Sequence, residues 1–235
     1  RVTGVETSSL PPGSPSALLH RFLNYAAYKL RYVAMVSPQL TSVFQWLFSI
    51  LELRGRTTRV RARQGVILAA GGFIFNRKMV ANYAPAYVRG TPLGTVGDDG
   101  SGIQLGEEAG GSTAHMDRVS AWRFLSPPEA MVKGILVDSQ GTRFCNEQLY
   151  GAQIGETMVQ NHGGRATLII DANIWRLARR GIGRGKTWWF QAMVALINLY
   201  LNIRRANTIE ELAARCGIPA ANLLGTVETY NHVVQ

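Results

Sequence analysis

The stretch that most constrains the fold is "GVILAAGGFIFN", residues 65–76, in which Val66, Ile67, Leu68, Ala69 and Ala70 run straight into Gly71 and Gly72. A continuous apolar run of this length, β-branched at its start and closed by glycine, predicts a strand buried on both faces, of the kind found in parallel sheets. Glycines at the carboxyl end of such a strand let the backbone turn sharply and come close to something bulky, and that end is where α/β proteins hold ligands. An ordinary Gly-Gly turn after a buried strand explains the same letters, and one motif does not separate the two.

The chain of 235 residues has room for one large or two modest domains, and 46% hydrophobic residues with 25 glycines excludes disorder and collagen. Cys145 and Cys216 stand far apart, with no CxxC pair and no clustered histidines. That spacing argues against a disulfide framework and against a metal site, and it fits the reducing cytoplasm. The formal net charge of +10 brings polyanions into consideration, and the distribution of charge decides among them. Between Asp171 and Glu210 there is no acidic residue, while Arg176, Arg179, Arg180, Arg184, Lys186, Arg204 and Arg205 flank "TWWFQAMVALINLYLNI". Residues 17–53 repeat the pairing, with Arg21, Lys29 and Arg31 in an otherwise apolar segment and Arg54 and Arg56 just after it. Bases that bracket apolar segments suit peripheral contact with a membrane surface, on its cytoplasmic face, rather than nucleic acid, which calls for bases interleaved with polar and stacking groups.

Neither segment reads as a transmembrane helix. The uncharged run 32–51 contains Ser37, Pro38, Gln39, Thr41, Ser42, Gln45 and Ser49, too many polar groups for a span. Leu18, Phe22, Ala26 and Leu30 fall on one helical face opposite Arg21, Asn24 and Lys29, so two amphipathic helices broken near Pro38 are predicted, covering either the core or a lipid surface. "RVTGVE" has no apolar leader and reads as an interior strand, and "NLLGTVETYNHVVQ" stops without a helix cap. Both ends read as those of an internal piece.

Along the chain, residues 2–6 predict a strand, "TSSLPPGSPS" a linker, and "NRKMVANYAPAY" a helix ending near Pro85. In "GTVGDDGSGIQLGEEAGG", Gly100, Gly102 and Gly106 lack the preceding buried strand of a primary Rossmann fingerprint. The run still predicts a loop feeding a helix capped by Ser101, whose free N–H groups favour an electron-rich ligand edge. "GILVDSQGTRFCNE" gives a strand at 134–138, a turn at 139–141 and a polar cluster, and "RATLIIDANI" gives another strand. Two helices close the chain, with Thr208 as N-cap, Glu211 completing a capping box and Gly217 as C-cap. The class is α/β or α+β.

"GVILAAGGF", "GDDGSGIQLGEEAGG" and "GILVDSQGTRFCNEQLYG", in that order and spacing, resemble the flavoprotein family that includes the fumarate reductases and the FAD-dependent 3-oxosteroid dehydrogenases, over residues 54–155 with further support from "TVETYN". The resemblance implies a partial FAD-binding Rossmann-like domain over 1–116, with the basic-apolar helical insert at 17–53, and a substrate or catalytic domain of α+β type over 117–235. It implies FAD as the cofactor, met by Ala69, Ala70, Gly71 and Gly72 in the first motif and by Gly100, Ser101 and Gly102 in the second. Many relatives carry aspartate where Ser101 stands. The family's GxGxxG unit for the FAD pyrophosphate is not in this chain. Fumarate reductases place a proton-delivering arginine four positions after the NE dipeptide, where this chain has Gly151.

Tyr150, three residues after Glu147, resembles instead the steroid dehydrogenase branch, and in its spacing the 3-oxo-5α-steroid 4-dehydrogenases more than the 1-dehydrogenases. Removing hydrogen beside a ketone needs a base for the α proton, donors for the enolate oxygen and a flavin to accept the β hydride. A phenol, with a pKa of about 10, can take or relay that proton. Tyr150 is therefore the candidate catalytic residue, with Arg143, Asn146 and Glu147 holding its loop and a steroid-like apolar ketone as substrate; the electron acceptor is left open. The alternatives are a lipid-binding module on a flavoprotein scaffold and a fumarate-reductase-like enzyme.

Overall fold

The computed structural model describes residues 2–36, 38–183 and 187–234, which form two compact units divided after Arg118. Ser37, Arg184 and Lys186 fall outside the described residues, as does the side chain of Arg31.

In the first unit, β1 (Gly4–Ser9) and β2 (Arg56–Arg61) pair antiparallel, Gly4 opposite Arg61 and Ser9 opposite Arg56. β1 therefore consumes the first residues of the predicted linker. Backbone pairing, rather than an apolar pattern, holds Thr7, Ser8 and Ser9 in the strand. Between the strands lie α1 (Pro15–Val36) and α2 (Pro38–Glu52), two packed helices with the break at Pro38 that the sequence predicts. Phe44 and Leu51 are buried, yet the predicted apolar stripe of α1 faces outward, with Leu18 and Phe22 57% and 66% exposed.

The strand predicted at 66–70 is not formed. Residues 65–72 are not part of any β-strand, and Ile67 is 94% exposed. A strand buried on both faces needs neighbours at both edges and above and below. The described sheets are two-stranded and antiparallel. Beyond this segment come α3 (Arg77–Tyr83), capped by the Asn76 side chain at 3.1 Å from the Met79 N–H, a 3₁₀ turn at Pro85–Tyr87, and α4 (Ser101–Glu108).

The second unit is built around β3 (Ile135–Val137), paired antiparallel with β4 (Thr167–Ile169). Successive side chains of a strand point to opposite faces, and both faces of β3 are covered. Ile135 and Val137 pack with Ala213 of α8 (Ile209–Cys216), with Ile218, and with Leu223 of α9 (Ala220–Val234). Leu136, on the other face, packs with Leu125 and with Ile154 and Met158 of α5 (Gly151–His162). The predicted turn docks on α9, where Asn222 and Thr226 donate to the carbonyls of Gln140 and Gly141 at 2.9 and 2.7 Å. Two helices not anticipated by residue patterns, α5 and α6 (Ala172–Gly181), complete the unit with α7 (Trp189–Tyr200). Thr208 caps α8 as predicted, accepting from the Glu211 N–H at 3.2 Å, and Gly217 closes it. The Glu211 carboxylate accepts from Asn207 rather than from Thr208, so the capping box is shifted by one residue.

Glu147 is the buried charged residue of this core, 3% exposed. Its carboxylate accepts from the Leu136 N–H at 2.8 Å and from Arg143 at 2.7 Å. Glu147→Ala leaves a buried β3 donor and a guanidinium without their acceptor, so denaturant unfolding should show a loss on the order of 2–4 kcal/mol. Glu147→Gln, which keeps an acceptor for Leu136, should lose about half as much. A loss below about 0.5 kcal/mol for the alanine variant, the range of ordinary surface changes, would contradict this role.

Candidate functional site

The two glycine-bearing loops of the first unit meet, and Asp98 joins them. Its carboxylate accepts from the Gly72 N–H at 3.3 Å and from the Thr95 N–H at 2.8 Å. Its carbonyl accepts from the Phe75 N–H, and the Gly100 N–H donates to the Gly72 carbonyl, both at 2.9 Å. Asp99 takes the Ser101 N–H at 2.9 Å. The α4 cap is thus Gly100, in the left-handed conformation, and not Ser101 as the sequence suggests; Ser101 is the first helical residue. Ala69, Ala70, Gly71, Gly72, Gly100, Ser101 and Gly102 are gathered in one place, and the 69–72 segment is exposed along its length.

The glycines differ in what requires them. Gly71 has φ +83°, and a Cβ there would strike the Asp98 carboxylate. A Cβ on Gly102 would lie 2.6 Å from the Ala70 methyl. Both are set by contacts within the chain. At Gly72 a Cβ would meet nothing within 4 Å and φ lies outside the left-handed region, so no internal contact accounts for glycine there. The first backbone bond of α4 runs from the Gln104 N–H to the Gly100 carbonyl at 3.0 Å, leaving the Gly102 and Ile103 N–H groups at the helix start for an outside acceptor. Two carboxylates at this turn disfavour a phosphate. The place fits a neutral, flat ligand edge approached by bare backbone.

In the second unit, Tyr150 stands at the N-cap of α5, 62% exposed, with its ring edge-on to Trp122 at 4.7 Å between centroids. Trp122 in turn lies 5.5 Å from Phe124, and both are exposed. The backbone of 121–124 runs against α5. The Arg123 N–H donates to the Gly151 carbonyl at 2.9 Å, and a Cβ on Gly155 would overlap Ala121 and Trp122. Trp122 and Phe124 were missed at the sequence level, since their proximity to Tyr150 depends on this pairing; the alternation W-x-F before the buried Leu125 was the available signal.

Arg143 and Glu147 hold the loop, as the sequence suggests. The Glu147 carboxylate raises the Arg143 pKa, chiefly by their hydrogen bond, and the guanidinium stacks 5.1 Å over the Tyr230 ring. A groove of about 970 Å³ lies between this loop and α9, lined by Phe144, Cys145, Thr226 and Tyr230 among others, and Tyr150 is not part of it. Burial first, and the Glu147 charge second, push the Cys145 thiol pKa up. Among the described residues no group of three His, Cys, Asp or Glu could hold a metal ion.

Residues 47–235 match the FAD binding domain family. Over 228 residues, covering 95% of this chain and 41% of the relative, the sequence is 36% identical to the 3-oxo-5-alpha-steroid 4-dehydrogenase of Comamonas testosteroni. It is 32% identical over 200 residues, 74% of the chain and 32% of the relative, to the 4-oxocyclohex-2-ene-1-carboxylate 5-dehydrogenase of Sinomonas cyclohexanicum. Among solved structures it is similar to the 3-ketosteroid-delta4-(5alpha)-dehydrogenase of Rhodococcus jostii RHA1 in complex with 4-androstene-3,17-dione, with a TM-score of 0.58 and 33% identity, covering 76% of this chain and 35% of that one. The chain spans 41% or less of the length of each of these relatives.

The glycine geometry sets a test. Gly71→Ala should destabilise the flavin-free protein by on the order of 1–2 kcal/mol, from the left-handed backbone and the Asp98 contact. Gly72→Ala should leave its thermal midpoint within about a degree, as expected of a change that meets no contact. Equal effects of the two substitutions would contradict the assignment.

Proposed function

The chain belongs to the FAD binding domain family, and from that premise we propose that it serves the dehydrogenation of a 3-oxosteroid or a similar polycyclic ketone. A proton leaves the carbon beside the ketone, a hydride leaves the next carbon, and a carbon–carbon double bond forms between them. Bound FAD supplies the hydride acceptor. The observation that carries this reading is the 36% identity to a 3-oxo-5-alpha-steroid 4-dehydrogenase along 95% of the chain. Both named relatives are dehydrogenases at a ring carbon numbered next to an oxo group.

The second unit offers Tyr150 to that chemistry. Its phenolic oxygen takes or relays the α proton, or donates to the ketone oxygen as it becomes an enolate. Trp122 and Phe124 beside it present exposed ring faces suited to a flat apolar substrate. Arg143 and Glu147 satisfy each other and fix the loop. In the first unit, Ala69 to Gly72 and Gly100 to Gly102 lie against the FAD away from its phosphates, and the absence of any internal reason for glycine at position 72 supports this placement. On this reading residues 1–116 are part of a Rossmann-like FAD domain and 117–235 the catalytic one. A fumarate-reductase-like activity is disfavoured, because a Cβ at Gly151 would stand 2.9 Å from the Arg123 carbonyl, leaving no room for the arginine that activity would require.

Lipid contact accompanies this chemistry. The exposed apolar residues of α1, α2 and α7, flanked by bases, suit a peripheral site on the inner face of the membrane, where a poorly soluble ketone collects. No helix among the described residues is long and apolar enough to cross a membrane.

In the full-length protein, Tyr150→Phe should keep its fold and flavin content while turnover of a 3-oxosteroid with an artificial electron acceptor falls about 10²–10⁴-fold. The loss should appear in kcat as well as kcat/KM. Turnover within a few-fold of the parent would remove Tyr150 from the chemistry. Gly72→Val should lower flavin occupancy, read from visible absorption, without lowering the stability of the flavin-free protein; unchanged occupancy would refute the placement.

A further inference from the structure

α7 has the sequence WFQAMVALINLY, with no charged residue. Ala195 and Leu199 face inward, while Trp189, Met193, Val194, Leu196, Ile197 and Tyr200 are 36–54% exposed. A helix at a water-facing surface ordinarily turns a polar face outward; α7, whose polar residues Gln191 and Asn198 are both half-buried, turns an apolar one outward, and such a face is covered by something. Its surroundings specify what. From residue 172 to 209 the chain has seven Lys and Arg and no Asp or Glu. Arg176, Arg179 and Arg180 stand exposed on α6, which is tied to α7 by the Trp175 indole N–H donating to the Leu199 carbonyl at 3.1 Å.

At the carboxyl end of α7 lies a cavity of about 490 Å³ lined by Tyr200, Ile203, Arg204, Arg205 and Arg215. Arg215 donates to the Arg205 carbonyl at 2.7 Å and to Glu211 at 2.6 Å, and the Arg205 guanidinium stacks 5.0 Å from the Trp175 ring. Two guanidiniums are thus held in place, and Arg204 is exposed beside them. Glu211 offsets one of the three charges. A surplus of two positive charges at the mouth of a polar cavity, on the end of an apolar helix, is complementary to an anion that carries hydrocarbon. Trp188 and Trp189 at one end of α7 and Tyr200 at the other are the residue types that settle at a lipid–water boundary. A second copy of the chain would bring two such basic rims together, at an electrostatic cost.

We propose that α7 lies in the headgroup boundary of an anionic phospholipid surface and that the arginine-lined cavity at its end receives a lipid phosphate. This rests on residues 187–203 being interfacial, and it adds which helix binds and through which group. It needs neither flavin nor catalysis. The test is sedimentation of the full-length protein with phosphatidylcholine vesicles, with and without phosphatidylglycerol. Binding should require the phosphatidylglycerol and should weaken with salt.

Arg204→Glu should weaken binding roughly thirtyfold, since one base near an anionic surface contributes about a factor of five and the reversal also adds a repulsion. Arg204→Gln should give roughly a fivefold loss. Val194→Asp, on the outward face, should abolish binding while circular dichroism and flavin content stay those of the parent. Inorganic phosphate at constant ionic strength should not displace the protein from the vesicles. Binding that ignores both Arg204 substitutions would overturn the cavity assignment and leave the interfacial reading of 187–203 standing. Failure to bind at low salt would overturn both. Displacement by inorganic phosphate would make the cavity a site for the free anion and overturn the lipid.

Discussion

A single buried carboxylate organises the second unit. β3 has helices against both faces and β4 along one edge, which leaves the Leu136 N–H on the other edge in need of an acceptor. Glu147 fills that need from a loop, and Arg143, four residues earlier, compensates its charge. A buried ion pair contributes little net stability, but removing one partner is costly, so the loop has one position in which its polar groups are satisfied. Tyr150 follows three residues later, where α5 begins. The exposed phenol is thereby fixed to the most buried strand of the molecule through a chain segment too short to wander.

Asp98 plays the corresponding part in the first unit with different means. Its carboxylate gathers backbone donors from two loops, and the 69–72 segment keeps its path without any strand beside it. In each unit, then, these carboxylates are engaged in holding backbone: Asp98 and Asp99 on N–H groups of their own loops, Glu147 on β3. Charge fixes the chain's path, and the exposed candidate residues beside these loops, the 69–72 segment in the first unit and Tyr150 in the second, are uncharged.

What the sequence revealed and what it hid follow from the range of the interactions. The break at Pro38, the Thr208 and Gly217 caps, the strands at 135–137 and 167–169 and the turn at 139–141 are set within a few residues, and they were legible. The convergence of 69–72 with 98–102 was legible only through the order and spacing of three motifs that resemble a family. Hydrophobicity misled at 66–70, because a buried strand requires partners that no local pattern supplies. The α4 cap was misassigned since serine and glycine both serve there, and Asp99 had already taken the Ser101 N–H. Trp122 and Phe124 stayed hidden because Gly151 and Gly155, in a helix that residue patterns did not anticipate, are what admit the 121–124 backbone.

The exposed apolar helices show how an amphipathic pattern misleads about direction. The stripe Leu18, Phe22 and Leu30 on α1 has the spacing that ordinarily identifies a core-facing surface, and in this fold it points outward while Phe44 and Leu51 of α2 turn inward. Periodicity fixes which residues share a face; it carries no information about which side the core lies on. On α1, Arg21 lies away from the stripe, but Lys29, eleven residues after Leu18 and so about three whole turns along, returns to the stripe's own side, against the sequence reading. Around α7 the bases sit on the neighbouring α6 and beyond its carboxyl end, leaving the helix itself uncharged. The two segments alike in composition therefore differ in where their charge stands: within the helix on α1, around it on α7.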